Sequence, residues 1–355
     1  MQGMSGQTTG ERGRAPQTGT VKASGGSSVD FARLGIAIGH ASDERGATGL
    51  TVIRGAKGPL RAGVCVVGRA TGSREIAAAS ADHHVDGRVD AILFTGGSAY
   101  GLDAAAGVMR WMEERGRGHP VGAGVVPIVP AAVVFDLAPL GRFDARPTAE
   151  MAYAAADTAR SENVSEGSVG AGTGTTVGKV AGPAWCMKGG FGRAIQSTAS
   201  NDLSVGAMVV VNAFGDVRDE RGEIIAGARR PSGGFADTPR VLASGDIRSL
   251  SKFDDLGAQN TTLAAVATSV PLSPTTLTQL ARAASAAFFR RITPSGSSFD
   301  GDIVFALSPM ADEVSRVEPL VVESLAVAAL ESAIERAVRC AHGRDGIPGL
   351  ADAHA

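Results

Sequence analysis

Cysteine is scarce in this 355-residue chain: Cys65, Cys186 and Cys340 are odd in number, far apart and without a CxxC pair. Neither a disulfide framework nor a zinc knuckle follows, and the three read as buried small hydrophobes in a reducing compartment, the cytoplasm. Long apolar runs are missing as well. The uncharged stretch from Val121 to Phe135 is broken by Pro127 and Pro130. No other run reaches the roughly eighteen apolar residues that a membrane span needs. Charge of one sign is also lacking: 34 Lys and Arg stand against 36 Asp and Glu, with no long block of either. That removes the electrostatic case for nucleic acid and leaves small molecules or peptides as partners.

What is present is the composition of a soluble globular protein, 44% hydrophobic and 20% charged. Residues 1–29 are rich in Gly, Ser, Thr and Gln and contain no apolar h-region, so they read as a flexible tail and not as a secretory signal. The remainder, 30–355, is long enough for one large domain. Leu34, Ile36 and Ile38 alternate with small residues, and Thr51–Ile53 and Val64–Val67 are β-rich runs bounded by glycines, which predicts successive strands. Ala91–Thr95 predicts a strand that turns at Gly96-Gly97-Ser98 into a helix over Leu102–Arg115, with Val108, Trp111 and Met112 on one face. An alanine-rich helix over Thr148–Arg160 precedes a glycine-dense loop from Gly167 to Lys179.

Farther along, Gly206–Asn212 predicts a buried strand with Asn212 at its end. The stretch from Gly215 to Leu256 is polar and weakly periodic, which predicts an exposed, flexible connection. An apolar strand, Leu263–Val270, is followed by Ser273 as N-cap and Pro274 at the first helical position. Leu277, Leu280, Ala284 and Phe288 then recur at helical spacing up to Arg290 and Arg291. A last strand, Ile303–Leu307, leads to a long helix whose stripe is Val327, Leu330, Ile334 and Val338, closed by Gly343. Long helices with layered strands predict an α/β sandwich.

Several motifs come close to known chemistry and fail on a residue. The loop ending at Lys179 has Thr173 where a P-loop needs glycine and Val180 where it needs a hydroxyl. Gly96 to Gly101 resembles a nucleophile elbow around Ser98, but GxSxG needs glycine where Tyr100 stands. The plainer reading is a tight strand-to-helix turn whose amides face a ligand. His83-His84 are adjacent and point apart, so they read as a solvated pair. Asp300-Gly301-Asp302 begins like a calcium loop but lacks the later oxygen ligands, so no metal and no other cofactor is expected. Asn260-Thr261-Thr262 stands where the polar connection meets an apolar strand, a position suited to a strained, accessible peptide bond.

Taken together, GGSAYGL (Gly96–Leu102), GVVPIVPAAVVFD (Gly124–Asp136), GAGTGTTVGK (Gly170–Lys179), MKGGFG (Met187–Gly192), VVVNAFG around Asn212, NTT (Asn260–Thr262) and DGDIVFAL (Asp300–Leu307) resemble a known family. It is the peptidase family of L-aminopeptidase/D-esterases, β-peptidyl aminopeptidases and 6-aminohexanoate (nylon) oligomer hydrolases. The resemblance spans roughly residues 30–343. It implies an αββα sandwich of the self-cleaving N-terminal-nucleophile type, cut between Asn260 and Thr261 into an α chain (1–260) and a β chain (261–355). It also implies assembly as a homo-oligomer, commonly four αβ units.

By the same resemblance Thr261 is the nucleophile in both self-cleavage and substrate hydrolysis. Its freed amine, with a reference pKa of about 7.7 to 8.0, serves as general base. Lys179, Asn212, Asp300 and Asp302 match the remaining catalytic positions. Lys179 tunes charge, with Lys188 of MKGG as its rival; Asn212 donates to the oxyanion; the aspartates orient Thr261. Gly97, Ser98, Tyr100 and Phe135 line the substrate site. A threonine nucleophile and the Asp300/Asp302 pair resemble the nylon-oligomer hydrolase branch more than the aminopeptidase branch, which has Ser and Glu at the latter positions. The expected activity is hydrolysis of 6-aminohexanoate oligomers or short peptides. Aminopeptidase action, acyl transfer of the ornithine acetyltransferase type and a non-enzymatic binding scaffold are the alternatives.

Overall fold

A computed structural model of the chain describes residues 30–245 and 260–354. The expected tail, 1–29, and the later part of the polar connection lie outside the described residues. Two sheets carry the architecture. The first orders its strands as Ile36–Asp43, Thr48–Gly55, Ala91–Thr95, Ala131–Val133 and Ser73–Arg74. The second orders Gly190–Ser197, Ser204–Asn212, Thr261–Thr268, Ile303–Pro309, Leu60–Val66 and Arg88–Val89.

Strand alternation decides what each face meets. In Ser204–Asn212, Val205, Ala207, Val209 and Val211 face a core shared with the helices Pro274–Ala284, Ala286–Arg291 and Pro319–Arg339. Met208 and Val210 face the other way, into a core with Ile38, Ile53, Ile92 and Phe94 of the first sheet. The outer face of that sheet, Leu50, Val52 and Leu93, packs under the helices Ala105–Glu113 and Ala149–Asp157. The result is helix, sheet, sheet, helix: the αββα sandwich that the resemblance implied. Both faces of the central strands are covered, so Ser204–Asn212 and Thr261–Thr268 are buried at every position and read as apolar runs with little alternation.

The MKGGFG motif acts here in packing. A Cβ at Gly192 would lie 2.0 Å from the Ala333 carbonyl oxygen, and one at Gly190 would lie 2.2 Å from that of Ala337. Only glycine lets the long helix lie this close to its strand.

The elements follow the sequence pattern with several differences. The helix expected over Leu102–Arg115 opens as a 3-10 turn, Ser98–Ala104, before the α-helix Ala105–Glu113, and the strand expected over Leu263–Val270 runs Thr261–Thr268. Leu34 belongs to a 3-10 turn, Phe31–Leu34, capped by Asp30, and the strand begins at Ile36. The helix beginning at Pro274 is interrupted at Ser285, whose hydroxyl donates to the Arg282 carbonyl. The last long helix ends at Arg339 with Cys340 as its cap, short of Gly343. The polar connection is partly built: it holds the strands Asp216–Arg218 and Ile224–Ala226 and the helix Thr238–Ser244. Buried Asp216 organises it by accepting from the Ala228 and Thr238 amides at 2.8 and 2.6 Å, an arrangement that periodicity does not reveal. Of the cysteines only Cys186 is buried; Cys65 and Cys340 are half-buried. Among the described residues no helix is long and apolar enough to cross a membrane.

Candidate active site

Register brings the expected residues to one end of the second sheet. Asn212, at the end of its strand, is the antiparallel partner of Thr261, at the start of the next. Thr261–Thr268 runs parallel to Ile303–Pro309 with Leu263 level with Ile303, and Asn260 bridges Asp300. Thr261 and Thr262 are therefore alongside Gly301 and Asp302. A Cβ on Gly301 would lie 2.7 Å from Thr261 Oγ1, so glycine leaves the hydroxyl its space.

The Asn260–Thr261 peptide is not accessible as its position in the sequence suggested: it is buried at both residues, because the strand it opens lies inside the second sheet. The Thr261 hydroxyl donates to the Asn260 carbonyl oxygen at 2.6 Å, and the Gly301 amide donates to the same oxygen at 2.9 Å. Two donors on one carbonyl oxygen polarise it toward nucleophilic attack.

Lys179 is held by the glycine loop: its amide donates to the Phe214 carbonyl, and Gly178 donates to that of Gly215. Lys179 Nζ donates to Asn212 O at 3.0 Å, to Asn212 Oδ1 at 3.1 Å and to Asn260 Oδ1 at 3.0 Å. Burial pushes this ammonium down to about 7, opposed by the charges of Asp300 and Asp302 nearby. Burial likewise pushes the Cys186 thiol up, so at neutral pH it is a neutral neighbour whose Sγ donates to the Pro183 carbonyl. Asn212 is fixed through both ends of its amide. Oδ1 accepts from the Thr176 amide at 3.0 Å, and Nδ2 donates to the Phe135 carbonyl at 2.9 Å. That last bond ties the end of the first sheet to the second.

Asp302 accepts from the Thr262 amide at 2.6 Å through Oδ1, and from Ser295 Oγ and the Gly296 amide at 3.0 and 3.1 Å through Oδ2. Burial and the Asp300 charge raise its carboxyl well above the usual range, while these donors hold it back. Asp300 accepts from the Ser297 amide at 2.8 Å. In the uncut chain Asp302 thus fixes the backbone that follows Thr261, while the Asp300 carboxylate holds the turn at Ser297.

Lys188 goes elsewhere. Its Nζ donates to the Gly172 and Thr175 carbonyls at 3.1 and 2.8 Å, bracing the glycine loop from behind. The same loop is buried from Gly170 to Val180, which leaves no open cradle for phosphate.

Gly97, Ser98 and Phe135 sit at the ends of first-sheet strands on the side facing Asn212; Gly97 is buried, Ser98 and Phe135 half-buried. Ser98 has a left-handed backbone, φ 52°, and its amide donates to the Val134 carbonyl. Tyr100 is 53% exposed. His83 and His84 do not point apart as expected: their rings lie 4.9 Å from each other, tilted by 37°, because the turn that carries them folds both to one side. Among the described residues no group of three His, Cys, Asp or Glu could hold a metal ion.

Sequence reasoning assigned no role to Asp136 or Gly301. Asp136 Oδ1 accepts from the Gly97 amide at 2.7 Å and Oδ2 from the Thr48 hydroxyl at 2.7 Å. The only available signal was its place at the end of the apolar GVVPIVPAAVVFD run.

With this geometry in view, the sequence pattern of Peptidase family S58 matches residues 33–349. The chain belongs to this family. An uncharacterized aminopeptidase of Mycobacterium leprae is 42% identical over 238 residues, covering 64% of this chain and 62% of the relative. The chain therefore spans less than two thirds of that relative's length. A 6-aminohexanoate-oligomer endohydrolase of Paenarthrobacter ureafaciens is 30% identical over 302 residues, covering 83% of this chain and 78% of the relative. The solved L-aminopeptidase D-Ala-esterase/amidase of Ochrobactrum anthropi, described as a variant of the Ntn hydrolase fold, matches with TM-score 0.64 at 23% identity. That match covers 88% of this chain and 86% of the other. This S58 member shares that fold.

Proposed function

We propose that this chain cuts itself between Asn260 and Thr261 and then hydrolyses short amides with Thr261 as an N-terminal nucleophile. The carrying observation is the Thr261 hydroxyl 2.6 Å from the Asn260 carbonyl oxygen, with Gly301 N–H on the same oxygen. Attack of Oγ1 on the Asn260 carbonyl carbon forms an ester as the C–N bond breaks and the nitrogen takes up a proton. Water then hydrolyses the ester, releasing the Asn260 carboxylate and restoring the Thr261 hydroxyl beside the amine freed in the first step.

In the mature form that amine takes the hydroxyl proton as the hydroxyl attacks a substrate carbonyl. Lys179 and the fixed amide of Asn212 supply positive potential for the oxyanion, an effect of about 3 to 4 kcal/mol where a single donor of this kind has been removed. Asp300 and Asp302 hold the new amine and the Thr262 backbone. The two chains stay in one folded unit because Thr261–Thr268 lies between two strands of one sheet. Four αβ units in the cytoplasm form the expected assembly.

The substrates proposed are 6-aminohexanoate oligomers and short peptides, supported by the Paenarthrobacter relative and by the Thr261, Asp300 and Asp302 set. A second reading, aminopeptidase action, is favoured by the name of the Mycobacterium relative. The test is intact mass of the purified protein beside Thr261→Ala, followed by product analysis on linear 6-aminohexanoate oligomers and on dipeptides. Wild type splitting into 1–260 and 261–355, with the variant uncut, is expected; an uncut wild type rejects the mechanism.

A further inference from the structure

Asn260 brings a side chain as well as a carbonyl to the scissile bond. The residue is buried, and its Oδ1 accepts from Lys179 Nζ at 3.0 Å. Lys179 Nζ also donates to Asn212 O and Oδ1 at 3.0 and 3.1 Å, and Asn212 is itself held by the Thr176 amide and the Phe135 carbonyl. Through Lys179, the side chain that precedes the cut is therefore tied to the last residue of the neighbouring strand.

The carbonyl that Thr261 attacks turns with the Asn260 backbone. On one side Asn260 bridges Asp300, and the Gly301 amide donates to the Asn260 oxygen at 2.9 Å. The Lys179 bond anchors the residue from the other side, that of Asn212. Held from both neighbouring strands, Asn260 cannot swing its carbonyl away from Thr261 Oγ1, 2.6 Å off, without breaking a hydrogen bond. Holding the reacting groups at contact distance is what speeds an intramolecular step. Asn260 Nδ2 is buried without a hydrogen-bond partner among the described residues. A buried donor left unmade costs free energy, so packing alone would favour an apolar side chain here. The oxygen end is the one in use.

We propose that the Asn260 side chain is a positioning residue for self-cleavage: by accepting from Lys179 it aligns its own carbonyl with Thr261 Oγ1, so the cut requires an acceptor at this position. This rests on the reading of Thr261 as the nucleophile. It deepens that reading by naming what the self-cleaving site demands of the residue released as a carboxylate.

The test uses full-length wild type, Asn260→Leu and Asn260→Asp, made by cell-free synthesis, transferred to buffers from pH 6 to 9 and followed by intact mass over time. Leu keeps the branching of Asn without an acceptor. Asp keeps the acceptor and, since Nδ2 makes no bond among the described residues, breaks none. Asn260→Leu should be cut about 10- to 100-fold more slowly, the range for one hydrogen bond to a charged group. Asn260→Asp should keep most of the wild-type rate.

The pH profile separates positioning from packing. Lys179 faces the Asp300 and Asp302 carboxylates, the neutral Cys186 thiol and the two asparagines, and burial brings its ammonium to about 7. Losing the Asn260 acceptor destabilises that ammonium and moves its inflection in the rate to lower pH, whereas a carboxylate at 260 moves it to higher pH. A residue that only fills space shifts it in neither variant. Equal rates in wild type and Asn260→Leu, an Asn260→Asp as slow as Asn260→Leu, or an inflection unmoved in both variants overturns the proposal. A wild type that never splits removes the Thr261 reading and this one together; a wild type that splits no faster than Asn260→Leu removes this one alone.

Discussion

The Thr261 hydroxyl and the Gly301 amide converge on the same carbonyl oxygen, that of Asn260, at 2.6 and 2.9 Å. One is the proposed attacking group and the other the donor that takes up charge as the carbonyl becomes tetrahedral. Both are set by the parallel register of two neighbouring strands, so the arrangement belongs to the sheet and not to a loop.

Gly301→Ala should stop self-cleavage without unfolding the chain. The added Cβ would lie 2.7 Å from Thr261 Oγ1 and 2.9 Å from the Ala70 carbonyl oxygen, so the hydroxyl must move. Displacements near 1 Å at a reacting centre cost about 100-fold in rate. Intact mass over time reads the cut fraction, and a variant that is cut at the wild-type rate refutes the role of this close contact.

Asn212→Ala should lower both self-cleavage and substrate kcat by about 100- to 1,000-fold, the range for losing an oxyanion donor. Asn212→Asp is the sharper variant. It keeps acceptors for Thr176 and Lys179 but leaves the Phe135 carbonyl without its donor. If Asn212 acts as a donor, Asp fails as Ala does; if it acts only by holding Lys179, Asp retains most activity.

The two lysines separate by function. Lys179→Met should leave the chain uncut, whereas Lys188→Met, which removes a brace on the glycine loop, should still be cut. Burial lowers both ammonium groups from the ordinary 10.5 to about 7. Between pH 7 and 10.5 the unfolded chain therefore binds more protons than the folded one at these sites. Their contribution to stability is fully present above 10.5 and is lost as pH falls through about 7. Urea midpoints measured from pH 7 to 9.5 should rise, and each Met variant should flatten the rise; a slope unchanged in both variants contradicts the assignment.

Much of this was legible in the sequence because the physics is local or periodic. The covered strands and amphipathic helices announce themselves by apolar spacing, and Ser273-Pro274 marks a helix start that the structure keeps, with Ser273 Oγ accepting from the Thr276 amide. The site residues lie far apart in sequence, and spacing alone left Lys179 and Asn212 as a loop lysine and a strand cap. Only the family resemblance pointed to them. What remained hidden depends on pairing across the fold: Lys188 bonding to Gly172 and Thr175, Asp216 ordering the polar connection, and Gly301 making room for a hydroxyl forty residues earlier.

Asp136 offers the last prediction. Its carboxylate accepts from the Gly97 amide and the Thr48 hydroxyl, so it fixes the turn at Gly97. Burial raises its pKa to about 6 against an ordinary 3.8, partly offset by those two donors. Between pH 3.8 and 6 the folded chain binds more protons at this site than the unfolded one. The favourable contribution of the protonated form is complete below 3.8 and is lost as pH rises through about 6. Asp136→Asn preserves an acceptor for Gly97 and removes the buried charge, so stability at pH 7 should hold or rise. Asp136→Ala leaves the Gly97 amide and the Thr48 hydroxyl without their acceptor and should cost about 1 to 3 kcal/mol for each group left unsatisfied. Thermal unfolding of the two variants at pH 5 and 7 checks this, and equal losses in both would show that Asp136 contributes through its charge and not through its hydrogen bonds.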